Sequence, residues 1–518
     1  MSALVGTGVL FRFALRRDRV LIPVWIGVNA LMVLSMPGTL RGLYATDAER
    51  AALRSQMAGN ASLRALTGPL LDDSLGGLTA WRVGVYAGLL AAVMSLLIVI
   101  RHTRDEEESG RLEVVASGAV GRRAPLSSAL LASAAANGVL AALLIAGLAS
   151  LGVSGAIALG LGVGLVGLVF ASAAAVAAQL TQSARLARGL TSGLLGAAFV
   201  LRAAGDSASS WLTWASPLGW LEKVRPFAGE RWWVLGLLMV ACFLGCALAY
   251  TLAGRRDLGM SFLPTRPGPA TGRLGSAGAL AWRLQRGTLL GWSIGFFLAG
   301  VVYGSLTAGA ADLVAGNSGA RAVLERMGGR AGVTDTFLSA MISMLGLVAA
   351  LYVVGAILRL ASEESSGRAE PLLACAVGRL RWAAGHLGIA FGGVAALMLL
   401  AGLGFWAGYG QRPAALLSAC LLQVPAAWTL GAVTVLLYGF LPGAAVAGWA
   451  LAGAVLLIGW VGSALNAPSW LLALSPYDHL PKLPGAEMSW NPVVLLLTLT
   501  ALLTCAGLTG LRHRDMAG

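Results

Sequence analysis

Long apolar runs separated by short polar segments dominate this chain. Crossing a bilayer takes about 20 helical residues, and inside lipid every backbone polar group needs a partner within the protein. The runs are therefore predicted to be membrane-spanning helices, which makes the chain an all-α integral membrane protein with 12 transmembrane helices. The predicted spans are residues 20–36, 81–100, 125–148, 156–180, 190–203, 232–252, 289–306, 337–358, 385–407, 413–438, 444–461 and 492–511.

The densest charged segment in the chain occurs twice. The first polar loop, residues 104–123, lies between the second and third predicted spans, and the second polar loop, residues 363–379, lies between the eighth and ninth. The two align without a gap, with Ser109, Gly110, Arg111, Glu113, Ala119, Val120, Gly121 and Arg122 falling on Ser366, Gly367, Arg368, Glu370, Ala376, Val377, Gly378 and Arg379.

Two further blocks repeat in the same order. Arg16, Arg19 and Trp25 align with Arg283, Arg286 and Trp292, and the Trp211-Leu212 to Lys223 block aligns with Trp470-Leu471 to Lys482. Both copies begin on the same side and hold six spans, so the chain is predicted to be two parallel six-helix repeats. The predicted domains are residues 1–254 and 275–518, joined by a proline- and glycine-rich cytoplasmic linker at 255–274.

Each polar loop is predicted to contain a short amphipathic helix. Apolar residues follow Gly110 and Gly367 at helical spacing, and Pro371 falls where the first turn of such a helix tolerates it. A plain solvated loop would account for the arginines through the positive-inside rule, but not for the acids. The duplicated pattern indicates a docking surface, to which we assign Glu106, Glu107, Gly110, Arg111, Glu113, Gly121, Arg122, Glu363, Glu364, Gly367, Arg368, Glu370, Gly378 and Arg379.

The composition supports a membrane protein and argues against nucleic-acid binding. Of the 518 residues, 57% are hydrophobic and 12% charged, whereas a soluble domain has about 25% charged residues. The net charge of +14 comes almost entirely from arginine. Arginines collect at the ends of spans on one predicted face, which favours cytoplasmic termini and a multi-pass protein of the cell membrane. The cysteines form no C-x-x-C pair, and no metal site is predicted.

The chain lacks the residues that would let it power transport alone. A phosphate-binding loop needs a lysine in G-x-x-x-x-G-K-[ST], and the two lysines, Lys223 and Lys482, occur outside any such motif. Ion-driven carriers keep an ionisable residue in mid-span. No acid is found there, and Arg202 lies near a span end. An ATP-hydrolysing partner is therefore expected, with ATP and Mg²⁺ bound by that partner and no cofactor bound by this chain.

The loop motif resembles that of the ABC-2 type exporter permeases. In that family a Glu-rich loop between spans two and three of a six-span unit contains the coupling helix that contacts the ATPase. The basic stretch before span one resembles the family's elbow helix, and the Trp and Ser-Pro region before span six resembles its outer re-entrant segment. The duplicated form resembles actinobacterial exporters of polyketide antibiotics and multidrug efflux permeases. One departure is that Arg185 and Arg188 fall opposite Ala444 and Ala447.

This resemblance implies an exporter of hydrophobic small molecules that docks an ABC ATPase homodimer. The cargo path is expected between the halves, and its candidate lining residues are Tyr86, Phe199, Trp292, Met341 and Met344. Two alternatives remain open from the sequence. One is an ion-coupled 12-span drug carrier, and the other is a membrane scaffold that recruits a partner through the same loops.

Overall fold

The computed structural model is almost entirely helical. It describes residues 3–59, 64–65, 67–207, 210–257, 259–263, 274–315, 329–461 and 468–515. The chain divides into two compact units, Met1–Pro267 and Gly268–Gly518, each with its own hydrophobic core. Half of the predicted linker 255–274, residues 264–273, lies outside the described residues. The predicted domain boundaries therefore stay a prediction.

The first unit is built from helices that pack through small residues. Ala87 and Ala91 of its second long helix are fully buried, which lets neighbouring backbones approach closely. The helices are α1 (Thr7–Arg17), α2 (Leu21–Leu43), α3 (Asp47–Gly59), α4 (Leu75–Arg101), α5 (Arg104–Glu108), α6 (Arg111–Ala116), α7 (Ala124–Leu148), α8 (Val153–Leu180), α9 (Ala184–Ser207), α10 (Pro217–Lys223) and α11 (Trp232–Arg255).

The second unit repeats this order with some helices fused or broken. Its helices are α12 (Ala277–Ala315), α13 (Gly329–Ser365), α14 (Glu370–Leu373), α15 (Arg379–Tyr409), α16 (Pro413–Leu421), α17 (Val424–Phe440), α18 (Ala447–Val461), α19 (Ser469–Leu472) and α20 (Asn491–His513). One predicted span, 413–438, is thus interrupted between α16 and α17. Pro425, in the first turn of α17, suits a helix start because its missing N–H would be unpaired there.

Eleven helical segments among the described residues are long and apolar enough to cross a membrane, five in the first unit and six in the second. This confirms an all-α membrane protein. The twelfth predicted span, 190–203, is helical within α9 but is not one of the eleven. The helix α9 carries Arg185, Arg188, Arg202 and Asp206, of which only Arg202 lies within the predicted span. The complete 12-span repeat stays a prediction.

Two helix boundaries differ from the sequence-based prediction. The first span was expected to end before Pro37, yet α2 continues through it to Leu43. The missing N–H of Pro37 costs one internal hydrogen bond, and the apolar face of α2 continues beyond it, with Leu40 buried. In the second unit, the segment that corresponds to α1 is continuous with the first span as α12. In the first unit the helix is interrupted at Asp18, between α1 and α2. The residue that aligns with Asp18 in the second unit is Gln285, which lies inside α12.

Candidate functional site

Both polar loops turn at an equivalent glycine. Gly110 has a φ of 73° and Gly367 a φ of 69°, so both adopt the left-handed conformation. A Cβ atom at either position would meet nothing within 4 Å, so backbone conformation and not lack of space favours glycine here. Each turn leads into a short helix, α6 or α14, as the repeat predicts, and Pro371 lies in the first turn of α14. The two loops therefore share one local geometry.

Four consecutive acids on α5 attach the first polar loop to the rest of its unit. At 3.6 residues per turn, adjacent side chains point about 100° apart, so a run of four reaches partners all around the helix. The contacts are Asp105 with Arg188, Glu106 with Arg17, Glu107 with Arg256 at 2.9 Å, and Glu108 with the backbone N–H of Ala184 at 2.9 Å.

The most buried of these contacts centres on Glu107. Its carboxylate lies 2.7 Å from Arg104, and the two side chains are only 6% and 1% exposed. Arg104 also donates to the carbonyl oxygen of Met260 at 3.2 Å, and Arg256 donates to the same carbonyl. Two buried guanidinium groups and one carboxylate thus hold α5 in position.

The second polar loop is held by a different pair of acids. Glu363 lies 2.6 Å from Arg359, one turn earlier on α13. Glu364 lies 2.6 Å from Arg514 and accepts a hydrogen bond from the Tyr438 hydroxyl. The hydrogen bonds that Arg514 donates to the Glu364 carboxylate raise the pKa of Arg514 above its usual value. Both acids are buried, so this loop too is anchored from within.

The predicted docking residues consequently separate into two groups. The acids Glu106, Glu107, Glu363 and Glu364 face inward and make ion pairs within the chain. The side chains of Arg111, Arg122 and Arg368 are 56%, 51% and 59% exposed. Arg111 donates two hydrogen bonds to Glu106, at 2.9 and 3.3 Å, whereas Arg368 lies 4.0 Å from Glu363. The remaining exposed members are Glu113, Glu370, Gly367 and Gly378, while Gly110, Gly121 and Arg379 are half-buried.

The closing glycines of the two loops are not equivalent in space. The N–H of Gly121 donates to the carbonyl of Val5 at 2.8 Å, and the N–H of Arg123 donates to that of Ala3 at 3.0 Å. A Cβ atom on Gly121 would lie 2.4 Å from the backbone of Ala3, whereas one on Gly378 would meet nothing within 4 Å. Gly121 therefore permits a close approach of the N-terminal segment to the first loop.

Two of the five candidate cargo-path residues line one cavity. Met341 and Met344, both on α13, border a space of about 370 Å³ in the second unit. Trp292 packs instead against Phe296 and Tyr352, with ring centroids 6.0 and 6.1 Å away. The other two candidates belong to the first unit, where Tyr86 is half-buried on α4 and Phe199 packs under a guanidinium group. The structure thus groups Met341 with Met344 and places the other three elsewhere.

A buried charge cluster in the first unit escaped the sequence analysis. Arg202 is fully buried, lies 2.9 Å from Glu222 and 3.4 Å from Asp206, and its guanidinium lies 4.8 Å from the Phe199 ring. Burial raises the pKa of Glu222 well above its usual value, although Arg202 opposes that shift. The i, i+4 spacing of Arg202 and Asp206 was the one available sequence signal, and it does not reveal Glu222.

Comparison with known proteins shows similarity to one family over the second half of the chain and to one protein over nearly all of it. Residues 274–512 match the family described as "Multidrug efflux system permease Rv1217c, C-terminal domain". The multidrug efflux system permease protein Rv1217c of Mycobacterium tuberculosis (strain ATCC 25618 / H37Rv) is 39% identical over 532 residues, a match that covers 99% of this chain and 96% of the relative.

Proposed function

This chain belongs to the multidrug efflux permease family of Rv1217c, and on that premise we propose that it is the membrane subunit of an ATP-binding-cassette exporter of hydrophobic drugs. In this proposal a separate ATPase homodimer docks on the two polar loops and hydrolyses ATP. A single chain presents both loops, so one copy would serve the two ATPase subunits. Closure of the ATPase pair would then drive alternation between inward- and outward-open states.

The observation that carries this proposal is the shared construction of the two loops. Each loop turns at a left-handed glycine, buries its acids against arginines of its own unit, and leaves an equivalent arginine, Arg111 or Arg368, more than half exposed. A solvated loop that only connects two helices needs no buried ion pairs. A surface that transmits force to a partner needs fixed side chains, because mobile ones would absorb the movement.

The sequence supports the need for a partner that binds ATP. Lys223 and Lys482 are the chain's two lysines, and neither lies in a phosphate-binding motif. Nucleotide and Mg²⁺ would therefore be bound by the ATPase, and this chain would supply the path through the membrane.

Reversing the charge of both exposed arginines tests the docking proposal. We expect Arg111→Glu combined with Arg368→Glu to weaken binding of the cognate ATPase at least about tenfold. Charge-assisted contacts in a desolvated interface contribute about 1.5–3 kcal/mol each, and tenfold corresponds to about 1.4 kcal/mol. Binding would be measured by titrating purified ATPase against the purified chain in detergent, alongside ATP-driven export.

A matched control carries the same change of charge elsewhere. Arg54 on α3 and Arg82 on α4 are exposed and belong to neither loop, so Arg54→Glu combined with Arg82→Glu should leave ATPase binding unchanged. Equal membrane abundance of the two double variants is required for the comparison. ATPase binding by the loop variant at the level of this control would contradict the proposal.

An ion-coupled carrier is a second candidate, favoured by one observation. Glu222 is a carboxyl group with a 10% exposed side chain, 2.9 Å from Arg202 on α9, and burial raises its pKa. Buried ionisable groups that lie within the membrane serve proton-coupled carriers. The test is drug uptake by proteoliposomes that contain this chain alone under an imposed pH gradient. We expect no uptake until the ATPase and ATP are added. Gradient-driven uptake that Glu222→Gln abolishes would establish the carrier instead.

A further inference from the structure

A cavity large enough for a small molecule lies within the second unit. It occupies about 370 Å³ between α13, α18 and the segment 472–482 that follows α19. Pockets that bind drug-sized molecules occupy about 300–1,000 Å³. The cavity is thus large enough to enclose a small drug without any contribution from the first unit.

The lining combines adaptable apolar side chains with hydrogen-bond acceptors. Met341 and Met344 are unbranched and polarisable, so they can adjust to ligands of different shape. Three hydroxyl groups of the lining already donate their protons to backbone carbonyls, namely Thr336 to Gly332 at 2.7 Å, Ser339 to Thr336 at 2.9 Å and Tyr477 to Gly346 at 2.7 Å. Their oxygen atoms keep lone pairs that can only accept. The carboxylate of Asp478 adds a further acceptor, whereas the ammonium of Lys482 is a donor. Among these groups acceptors outnumber the donor, so the lining favours a ligand that donates.

The corresponding region of the first unit is nearly filled. The alignment that places Ser109 on Ser366 also places Gly84 on Met341 and Ala87 on Met344. The cavity at Gly84 measures only about 40 Å³, and a Cβ atom there would already lie 3.4 Å from Leu159. Glu222, which borders this small cavity, has Pro481 opposite it in the second repeat. The buried charge cluster therefore belongs to the repeat with the smaller of these two cavities.

We propose that the cargo-binding pocket lies in the second repeat alone and takes a drug-sized, largely apolar molecule that carries hydroxyl or amine hydrogen-bond donors. The first repeat then binds no cargo, and its buried ion pairs stabilise its fold. This inference rests on the proposed efflux function, but the pocket does not depend on how transport is powered.

Filling the cavity tests the proposal directly. Ala340 lines the cavity and is itself exposed, so Ala340→Phe adds a ring to the open space without displacing a packed side chain. We expect this change to weaken binding of ethidium, a largely apolar cation with two amino groups, at least about tenfold. Binding would be measured by the fluorescence of the dye with the purified full chain in detergent, without ATPase.

Two controls separate the pocket from nonspecific effects. Ala407 is exposed on α15 and lies outside the cavity, so Ala407→Phe should bind ethidium like the wild type. Ser339→Ala should weaken ethidium binding about two- to tenfold, but should leave binding of tetraphenylphosphonium, an apolar cation without donors, unchanged. The serine variant provides this second readout even if the phenylalanine variant fails to fold.

The outcomes distinguish this inference from the proposed function. Ethidium binding by Ala340→Phe at the level of Ala407→Phe would overturn the pocket while leaving ATP-driven export intact. An equal loss of both dyes in Ser339→Ala would overturn the assignment of donor-bearing cargo. A third outcome is that Ala340→Phe weakens ethidium binding but the wild-type chain exports nothing with ATPase and ATP. That result would support the pocket and refute the ATP-driven exporter.

Discussion

Replacing Arg202 by methionine is expected to destabilise the first unit by about 3–5 kcal/mol, the cost of removing one partner from a buried ion pair. Asp206 and Glu222 would lose the cation that contacts both of them, while their side chains stay only 2% and 10% exposed. Methionine keeps the apolar length of the side chain, so the loss of charge dominates. The expected result is a lower Tm of the purified chain in detergent and a lower membrane abundance.

The matched control for this change is Arg185→Met on the same helix. Arg185 is exposed, and surface ion pairs contribute about 0–1 kcal/mol, so this variant should keep the wild-type Tm. If Arg202→Met and Arg185→Met had the same Tm, the buried cluster would not be a stabilising element of the fold.

Replacing Glu107 by leucine is expected to release the first polar loop. Arg104 and Arg256 would lose their shared carboxylate although their side chains are 1% and 9% exposed. We expect a loss of about 3 kcal/mol, near the lower end for a broken buried pair, because both arginines also donate to the carbonyl of Met260. The measurements are Tm in detergent and the rate of trypsin cleavage after Arg111, which should rise.

Glu113→Leu provides the comparison for the loop. Glu113 is exposed in the first turn of α6, so its removal changes the charge of the same loop without breaking an anchor. Trypsin should cleave this variant at the wild-type rate. Identical cleavage of Glu107→Leu and Glu113→Leu would show that the loop is not held by the buried acids.

The repeated motif allowed much of the local structure to be predicted from sequence. Gly110 and Gly367 predict a turn because a left-handed backbone conformation strongly favours glycine. Pro371 predicts the start of a helix because its ring fits the first helical turn. Apolar runs identified eleven of the segments that can cross a membrane. These features depend on neighbours within one or two helical turns, and such short-range rules can be applied to a sequence directly.

The direction in which the charged side chains face could not be predicted in the same way. Glu107 meets Arg256, and Glu364 meets Arg514, across about 150 residues of sequence. No local rule links such partners, so the sequence did not reveal that these acids make ion pairs within the chain, and the docking surface stays a prediction. The cluster of Arg202 with Glu222 and the cavity beside Met341 likewise depend on packing between separate elements.

The inward acids also determine how the two loops respond to ionic strength. Glu106, Glu107, Glu363 and Glu364 are committed to internal ion pairs, so the loops expose the positive charges of Arg111, Arg122 and Arg368 beside the exposed acids Glu113 and Glu370. A partner that binds them must offer an acidic surface, and attraction of this kind acts over a Debye length of about 10 Å at 0.1 M salt but only about 3 Å at 1 M. The buried anchors are shielded from the same ions. Concentrated salt should therefore strip a docked partner from the permease without loosening the loops themselves.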